Sequence, residues 1–331
     1  MDQLFTLNII QAGVLALAVT AVLGPLAIPA LRRLKFGQLV RDDGPARHLQ
    51  KTGTPTMGGV IFLTGILLAG LLFAREYPEG LLVLGITIAY GLIGLLDDFL
   101  KVALKRSLGL RAREKLLGQI LLAGLLATLA VSYGRGTDLV VPFSGYFIPG
   151  GISFELNWAL YLAFAVFIVV GFANAINLTD GLDGLAAGTT AIAAVTFVAV
   201  ALWADSPGVA IVMAAVAGGC VGFLFYNRYP ARVFMGDTGS LALGGALGAA
   251  AVVTRTELLL VIVGGIFVLE VLSVMGQVFS FKVFGRRILR MSPLHHHFEL
   301  GGWSEERVVH IFWAAALVFA LVGVLSLYGL R

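Results

Sequence analysis

Residues 158–177 read WALYLAFAVFIVVGFANAIN, a run of consecutive positions without an Asp, Glu, Lys or Arg. A helix of about 20 apolar residues is long enough to cross the hydrocarbon core of a bilayer, which is about 30 Å thick. This stretch therefore predicts a transmembrane helix, and it gives the length by which the other apolar runs of the chain can be judged.

Runs of similar composition recur along the whole chain. They lie at about 8–31, 57–74, 80–96, 116–133, 185–203, 208–226, 239–254, 258–281 and 308–329. Of the 331 residues, 59% are apolar and 13% are charged, and the mean hydropathy is +0.94, whereas soluble domains carry about 25% charged residues. These values exclude a soluble globular protein. They predict an all-α integral membrane protein with about ten transmembrane helices, folded as a single polytopic domain over residues 1–331.

The basic residues predict the orientation of these helices. Nineteen of the 23 Lys and Arg fall in the connections that follow odd-numbered predicted helices, and short cytoplasmic loops are enriched in these residues. Both termini are therefore expected on the outer side of the membrane, with the basic connections in the cytoplasm. Because no Lys or Arg precedes Arg32, the first run is interpreted as a retained helix rather than a signal peptide. The lone Cys220 excludes a disulfide framework and a multi-Cys metal site.

Five carboxylates lie at helix ends or in short loops of this inner side: Asp97, Asp98, Asp180, Asp183 and Asp237. Carboxylates at a membrane interface are costly when they are partly desolvated and unpaired. Pairing with nearby Lys and Arg, or exposure to water, would explain any one of them, but five together favour a functional cluster. Because adjacent helical residues point about 100° apart, Asp97 and Asp98 are expected to have different partners.

Polar residues recur every three positions at Asn174, Asn177, Asp180 and Asp183. In helical or 3₁₀ backbone this spacing stacks the side chains along one side, although a hydrophilic turn that caps the next helix is an alternative interpretation. Asp237 precedes another apolar run. It is either an ordinary N-cap or part of a site where a helix N-terminus and a divalent ion hold a phosphate.

Three consecutive histidines, His295, His296 and His297, follow the ninth predicted helix. They cannot all reach one metal from a regular helix and no Cys accompanies them, so a zinc site is not expected. Imidazoles beside basic residues suit phosphate binding or proton transfer. Glu270, inside a predicted span, is interpreted as a site or packing residue. Lys51 is available to a phosphate, but the Gly/Thr-rich segment after it lacks the order of a P-loop.

Six motifs, in this order, resemble those of the phospho-N-acetylmuramoyl-pentapeptide-transferase family, within the polyprenyl-phosphate N-acetylhexosamine-1-phosphate transferase superfamily. They are GTPTMGG at 53–59, LDDF at 96–99, KLLGQ at 115–119, NLTDGLDG at 177–184, VFMGDTGS at 233–240 and SPLHHHFE at 292–299. Where the family has Ala-Pro before the histidines, this chain has Ser292-Pro293. The triple histidine favours the muramoyl-pentapeptide branch over sister enzymes that use other sugars.

The resemblance implies a Mg²⁺-dependent, homodimeric enzyme of the bacterial inner membrane, with its active site on the cytoplasmic face. Such an enzyme transfers phospho-N-acetylmuramoyl-pentapeptide from UDP-N-acetylmuramoyl-pentapeptide to undecaprenyl phosphate. The products are UMP and lipid I, the first lipid-linked peptidoglycan precursor. Membrane lipid is the surrounding partner, and no nucleic-acid partner is expected.

The resemblance also implies roles for single residues. Asp97, Asp98 and Asp237 are expected to be catalytic, with Asp237 as the chief Mg²⁺ ligand and Asp97 as the better candidate for deprotonating or positioning the lipid phosphate. The uridine is expected to contact Asp183, Asn227 and Phe234. The sugar, phosphates or lipid head are expected to contact Lys51, Thr56, Lys115, Asn177 and Asp180. The pyrophosphate and peptide are expected to contact His295, His296 and His297, with Gln277 as a weaker candidate.

Two questions stay open at this point. A single displacement needs no covalent intermediate, yet a two-step route through an Asp nucleophile is equally compatible with the residues. Two other functions are also open: a sister transferase that moves a different hexosamine phosphate, and an ion-coupled secondary transporter. The transporter predicts ionisable groups near the bilayer midplane, whereas all the residues singled out except Glu270 lie at inner helix ends.

Overall fold

A computed structural model of the chain describes residues 3–33, 53–104 and 109–330. The helices within these ranges are α1 (Gln3–Arg33), α2 (Gly59–Phe73), α3 (Pro78–Ala103), α4 (Ala112–Ser132), α5 (Trp158–Thr179), α6 (Leu185–Trp203), α7 (Pro207–Asn227), α8 (Gly236–Thr254), α9 (Glu257–Val263), α10 (Gly265–Phe284), α11 (Leu294–Glu299) and α12 (Glu305–Leu325). Two short strands, β1 (Asp138–Val141) and β2 (Ile152–Glu155), lie between α4 and α5.

The all-helical membrane architecture predicted from the sequence is confirmed. Within the described ranges, 9 helices are long and apolar enough to span a bilayer, namely α1, α3 to α8, α10 and α12. The run predicted at 57–74 forms α2, which has only 15 residues. The prediction of one continuous helix over 258–281 was wrong, because α9 ends at Val263 and α10 begins at Gly265. Two adjacent glycines, which are poor helix formers, lie at this break.

The connection between α4 and α5 contains a short β-hairpin. Strand β1 pairs antiparallel with β2, so that Asp138 lies opposite Glu155 and Val141 lies opposite Ile152. This hairpin follows the C-terminal end of α4, and it therefore lies at the end of the helices opposite to the one where α4 begins.

The centre of the bundle is formed by α6, α7 and α8, whose apolar side chains are mostly buried. Helix α8 packs between α3 and α5. Small residues let these helices approach closely: a Cβ atom at Gly94 of α3 would lie 2.1 Å from the backbone oxygen of Asp237. The last turns of α3 are therefore held directly against the first turn of α8, and this contact positions the candidate site.

Candidate active site

Three carboxylates meet where the end of α3 touches the start of α8. Asp97 and Asp98 belong to the last turns of α3, and Asp237 belongs to the first turn of α8. One oxygen atom of each carboxylate lies within 4.8 Å of the other two. Asp97 and Asp98 are buried, whereas the side chain of Asp237 remains 17% exposed. Converging carboxylate oxygens with an open side are the donor set that a hard divalent cation such as Mg²⁺ prefers.

Asp98 caps α8 from a different helix. Its Oδ2 accepts hydrogen bonds from the backbone N–H of Thr238 at 2.9 Å and from the Thr238 hydroxyl at 2.7 Å, and its Oδ1 accepts from the backbone N–H of Asp237 at 3.2 Å. A carboxylate at this position also interacts favourably with the partial positive charge of the helix N-terminus. The alternative that Asp237 is an ordinary N-cap was therefore wrong, because Met235 occupies the N-cap position of α8. The expectation of different partners holds only in part: Asp98 accepts from the start of α8 and Asp97 accepts from the backbone N–H of Leu110, but both also contact Lys101.

Two lysines face the carboxylates. Lys101 Nζ lies 2.6 Å from Asp97 Oδ2, 3.0 Å from Asp237 Oδ2 and 3.6 Å from Asp98 Oδ1. Lys115 Nζ, on the first turn of α4, lies 2.7 Å from Asp237 Oδ2. When all three carboxylates are ionised, they exceed the two ammonium groups that face them by one negative charge. Sequence reasoning counted Lys101 only among the loop charges, although its spacing of three and four residues from the aspartates could have identified this contact.

The amide of Asn177 fixes the other side of Asp237. Its Nδ2 donates to Asp237 Oδ1 and to Ser240 Oγ, both at 2.8 Å. Asp180 lies just beyond the end of α5 and accepts a hydrogen bond from the backbone of Gly236. Burial raises the pKa of the Asp180 carboxyl well above its ordinary value, and the negative charge of Asp237 raises it further.

The expectation that Asn174, Asn177, Asp180 and Asp183 stack along one side was wrong. Because α5 ends at Thr179, the last two residues leave the helical path. Asn174 donates to Gln119 Oε1 at 2.6 Å, deeper in the bundle. Asp183 Oδ2 instead accepts from the backbone N–H of Ala231 at 2.9 Å. Only Asn177 and Asp180 contribute to the carboxylate cluster.

Asp183 and Asn227 join two loops. Asn227 Oδ1 accepts from the backbone N–H of Gly184 at 3.1 Å, and its Nδ2 donates to the backbone oxygen of Val233 at 3.0 Å. The amide of Asn227 is thus engaged within the protein on both sides. Together with the bond from Ala231 to Asp183, these contacts shape the segment 228–235, which ends beside Asp237.

The segment 53–59 packs against the half-buried Phe234. The Phe234 N–H donates to the backbone oxygen of Pro55 and the Gly58 N–H donates to the backbone oxygen of Phe234, each at 2.8 Å. Thr56 in this segment is buried, and a Cβ atom at Gly236 would lie 2.9 Å from its hydroxyl oxygen. Thr56 therefore borders the start of α8, while Lys51 lies outside the residues that the structure describes.

The three histidines have three different partners. His295 is fully buried, with Nδ1 2.9 Å from Glu270 Oε1. His296 Nδ1 lies 2.7 Å from Glu299 Oε2, and His297 Nδ1 accepts from the backbone N–H of Arg290 at 3.1 Å.

Glu270 determines how His295 is oriented. Besides Nδ1 of His295, the carboxylate accepts the backbone N–H of Leu294 at 2.6 Å. Because Nδ1–H donates to Glu270, Nε2 is the free end of the ring. Nε2 has no hydrogen-bond partner among the described residues and packs against Gly181, where a Cβ atom would lie 2.2 Å away. Glycine is therefore required at position 181, beside Asp180. Glu270, which the sequence predicted as a site or packing residue, lies in the bundle as the hydrogen-bond acceptor that orients His295.

The side-chain amide of Gln277 forms its hydrogen bonds with the backbone after α10 and not with the histidines. Its Oε1 accepts from the backbone N–H groups of Ile288 and Leu289, both at 3.0 Å, and its Nε2 donates to the backbone oxygen of Leu289 at 2.9 Å. Both ends of the Gln277 amide therefore hold the connection after α10 against that helix.

A second group of buried charges lies at the opposite ends of α4 and α8, and sequence reasoning missed it. Arg135 donates from Nε to the backbone oxygen of Val252 at 2.6 Å, pairs with Glu257 and stacks on the ring of Tyr161 at 4.5 Å. Both charged side chains are almost completely buried. The partners are far apart in the chain, so no local spacing identifies them. A cavity of about 480 Å³ adjoins the pair, and none of the predicted site residues lines it.

Comparison with known proteins adds an independent line of evidence. Residues 81–255 match the family model of glycosyl transferase family 4, and residues 51–63 match phospho-N-acetylmuramoyl-pentapeptide-transferase signature 1. The chain is 64% identical over 324 residues to the phospho-N-acetylmuramoyl-pentapeptide-transferase of Pelotomaculum thermopropionicum, covering 98% of this chain and 99% of the relative. The proteins of the same name from Desulforamulus reducens and Bacillus subtilis are 60% and 50% identical, covering 97% and 92% of this chain and 96% and 94% of the relatives.

Proposed function

The chain belongs to the phospho-N-acetylmuramoyl-pentapeptide-transferases of glycosyl transferase family 4, and from this premise we propose how its residues carry out the transfer. The enzyme is a transferase that moves phospho-N-acetylmuramoyl-pentapeptide from its UDP-linked form to undecaprenyl phosphate, releasing UMP and forming lipid I. An oxygen of the lipid phosphate attacks the phosphorus that bears the sugar, and the bond from that phosphorus to UMP breaks.

The observation that carries the site assignment is the meeting of four motifs around one carboxylate cluster. Asp97 and Asp98 come from α3, Lys115 from α4, Asn177 from α5 and Asp237 from α8. The reaction brings together two anionic substrates, so their mutual repulsion must be screened. A cluster that combines surplus carboxylate with ammonium groups suits this task.

Mg²⁺ fits this donor set, and the residues that would hold it are Asp237 as chief ligand with Asp97 and Asp98 beside it. When bound, the ion would neutralise charge on the phosphates. Asn177 and Lys115 hold the Asp237 carboxylate in place through contacts of 2.8 Å and 2.7 Å. Asp97 is the residue we assign to deprotonating or positioning the lipid phosphate, in a single displacement without a covalent enzyme intermediate.

The remaining predicted residues form the walls of the substrate site. Asp183 and Phe234 are proposed to contact the uridine, and Asn227 contributes by holding the loop between them. Thr56, Asp180 and Lys51 are proposed to contact the sugar, the phosphates or the lipid head. His295, which is buried against Gly181, is proposed to support the pyrophosphate side of the site, with His296 and His297 toward the peptide. Gln277 supports the adjoining connection.

The orientation and assembly of the enzyme follow from the charge pattern and the family. We propose one polytopic domain, residues 1–331, in the bacterial inner membrane, with both termini periplasmic and the carboxylate cluster at the cytoplasmic face. The described helices support this arrangement because all the motif residues lie at one set of helix ends, which the basic connections share. A homodimer is proposed on the same family basis.

The decisive experiment is an assay of UMP release by the purified protein in detergent, with both substrates and with Mg²⁺ or EDTA. We expect release that requires Mg²⁺ and both substrates. A folded protein that releases no UMP would overturn the proposal. Competition by other UDP-linked hexosamines tests the sister-transferase alternative, and solute flux in vesicles without group transfer would instead support the transporter.

A further inference from the structure

The ammonium of Lys101 lies at the point where the three carboxylates converge. It is within 3.6 Å of an oxygen of Asp97, Asp98 and Asp237. Lys115 differs, because the structure places its ammonium against Asp237 alone within the cluster. Lys101 thus stands in for a cation that all three carboxylates share.

A divalent cation and this ammonium cannot both keep these positions. An ion bound to the same oxygens would lie only a few ångströms from Nζ, and repulsion between cations at such distances is strong in a partly desolvated site. The Lys101 side chain is 33% exposed and carries a flexible four-carbon stem, so the ammonium can leave without backbone movement. The buried Asp97 and Asp98, by contrast, are fixed by backbone and helix-end contacts.

We infer that Lys101 is an exchangeable counter-ion, which holds the carboxylates together in the metal-free enzyme and releases Asp237 when a divalent cation binds. The ammonium then turns to the open side of the cluster, where the phosphates of the substrates are expected. Lys101 is therefore a positioning residue, because it acts through the three carboxylates that it holds together. The inference rests on the cation site of the proposed function.

Mn²⁺ binding measured by electron paramagnetic resonance on the purified protein tests the exchange. In Lys101→Gln the ion no longer competes with an ammonium, so we expect Mn²⁺ to bind about tenfold more tightly than in the wild type. In Lys101→Arg the charge stays, and we expect no tighter binding. Arg111→Gln is the matched control, because Arg111 lies at the same end of the helices but is exposed and near Glu114. Its Mn²⁺ affinity should equal that of the wild type.

A measurement on the wild type covers the case in which Lys101→Gln does not fold. Amine-reactive labelling, quantified by mass spectrometry, should modify Lys101 faster when Mn²⁺ is added, because the ammonium loses its carboxylate partners. The exposed Lys282 serves as the internal reference. Labelling of Lys101 that slows or stays constant with Mn²⁺ would overturn the exchange.

The outcomes separate this inference from the proposed function. Equal or weaker Mn²⁺ binding by Lys101→Gln refutes the exchange, even if the wild type releases UMP. Absence of Mn²⁺ binding by the wild type also refutes it, and the UMP assay then decides separately whether the transferase assignment holds. Tighter binding by Arg111→Gln as well would show a general charge effect and would likewise refute a specific role for Lys101.

Discussion

The two ends of α4 and α8 both bury charge, but in opposite ways. At one end Asp97, Asp98 and Asp237 outnumber the two lysines that face them, and Asp237 stays partly exposed. At the other end a single guanidinium is matched by a single carboxylate. Arg135 and Glu257 are 3% and 0% exposed, and the guanidinium also donates to several backbone oxygens.

The difference separates a cluster with surplus carboxylates from a buried pair whose charges balance. Such a pair loses much stability when one partner is removed, but it attracts no further ion. A cluster with surplus charge of one sign and an open side still favours a counter-ion. We therefore expect substitutions at the first end to change turnover and substitutions at the second end to change stability.

The largest effect should come from Asp237→Asn. This change removes the carboxylate on which Lys101, Lys115 and Asn177 converge, and we expect turnover in the UMP assay to fall by at least about a thousandfold. Because the charge surplus disappears with it, the thermal unfolding midpoint without metal should not fall. Turnover near that of the wild type would show that the transfer does not need the Asp237 carboxylate, and it would contradict the assignment of this end of the helices to catalysis.

The next effect concerns stability. Arg135→Gln leaves the Glu257 carboxylate buried without its cation, which should destabilise the protein by about 3 kcal/mol. We expect a lower unfolding midpoint in detergent and unchanged turnover per folded molecule well below that midpoint.

The double variant Arg135→Leu/Glu257→Leu is the control, because removing both charges avoids an unpaired one and should recover part of the lost stability. A large loss of turnover in folded Arg135→Gln would contradict the assignment of this pair to structure alone.

A smaller effect is expected at Glu270, which couples α10 to the histidines. In Glu270→Gln the amide group replaces one of the oxygens that accept from Leu294 and His295, so one charged hydrogen bond is lost. We expect turnover to fall by about tenfold, with little change in the KM of the UDP donor. His295→Gln combined with Glu270→Gln should be no worse than His295→Gln alone. An additional loss in the double variant would show that Glu270 acts independently of His295.

The sequence was sufficient to predict the helical membrane fold and to bring several carboxylate and amide residues into one candidate site, because both predictions rest on local patterns. Apolar length identified the spans, and motif order brought Asp97, Asn177 and Asp237 together before any geometry was known. What could not be predicted were contacts between distant segments. The capping of α8 by Asp98 depends on the close approach at Gly94, and the pairing of Arg135 with Glu257 depends on how two helices end side by side.

The smallest effect tests whether burial sets the contribution of a charge pair at the end of the bundle that holds Arg135 and Glu257. Asp138 and Arg255 form an ion pair of 3.2 Å, only a few residues from the buried Arg135, but their side chains are 26% and 43% exposed. Water and salt screen such a pair, so Asp138→Asn should lower stability by about 0.5 kcal/mol or less and should not change UMP release. A loss as large as that of Arg135→Gln, measured as the unfolding midpoint in the same detergent, would mean that proximity to the hairpin rather than burial sets the contribution of charge at this end. If the loss of stability in Asp138→Asn disappears at high salt, the exposed position of the pair explains it, because salt screens exposed charges. The loss of stability in Arg135→Gln should not depend on ionic strength, because that pair is buried.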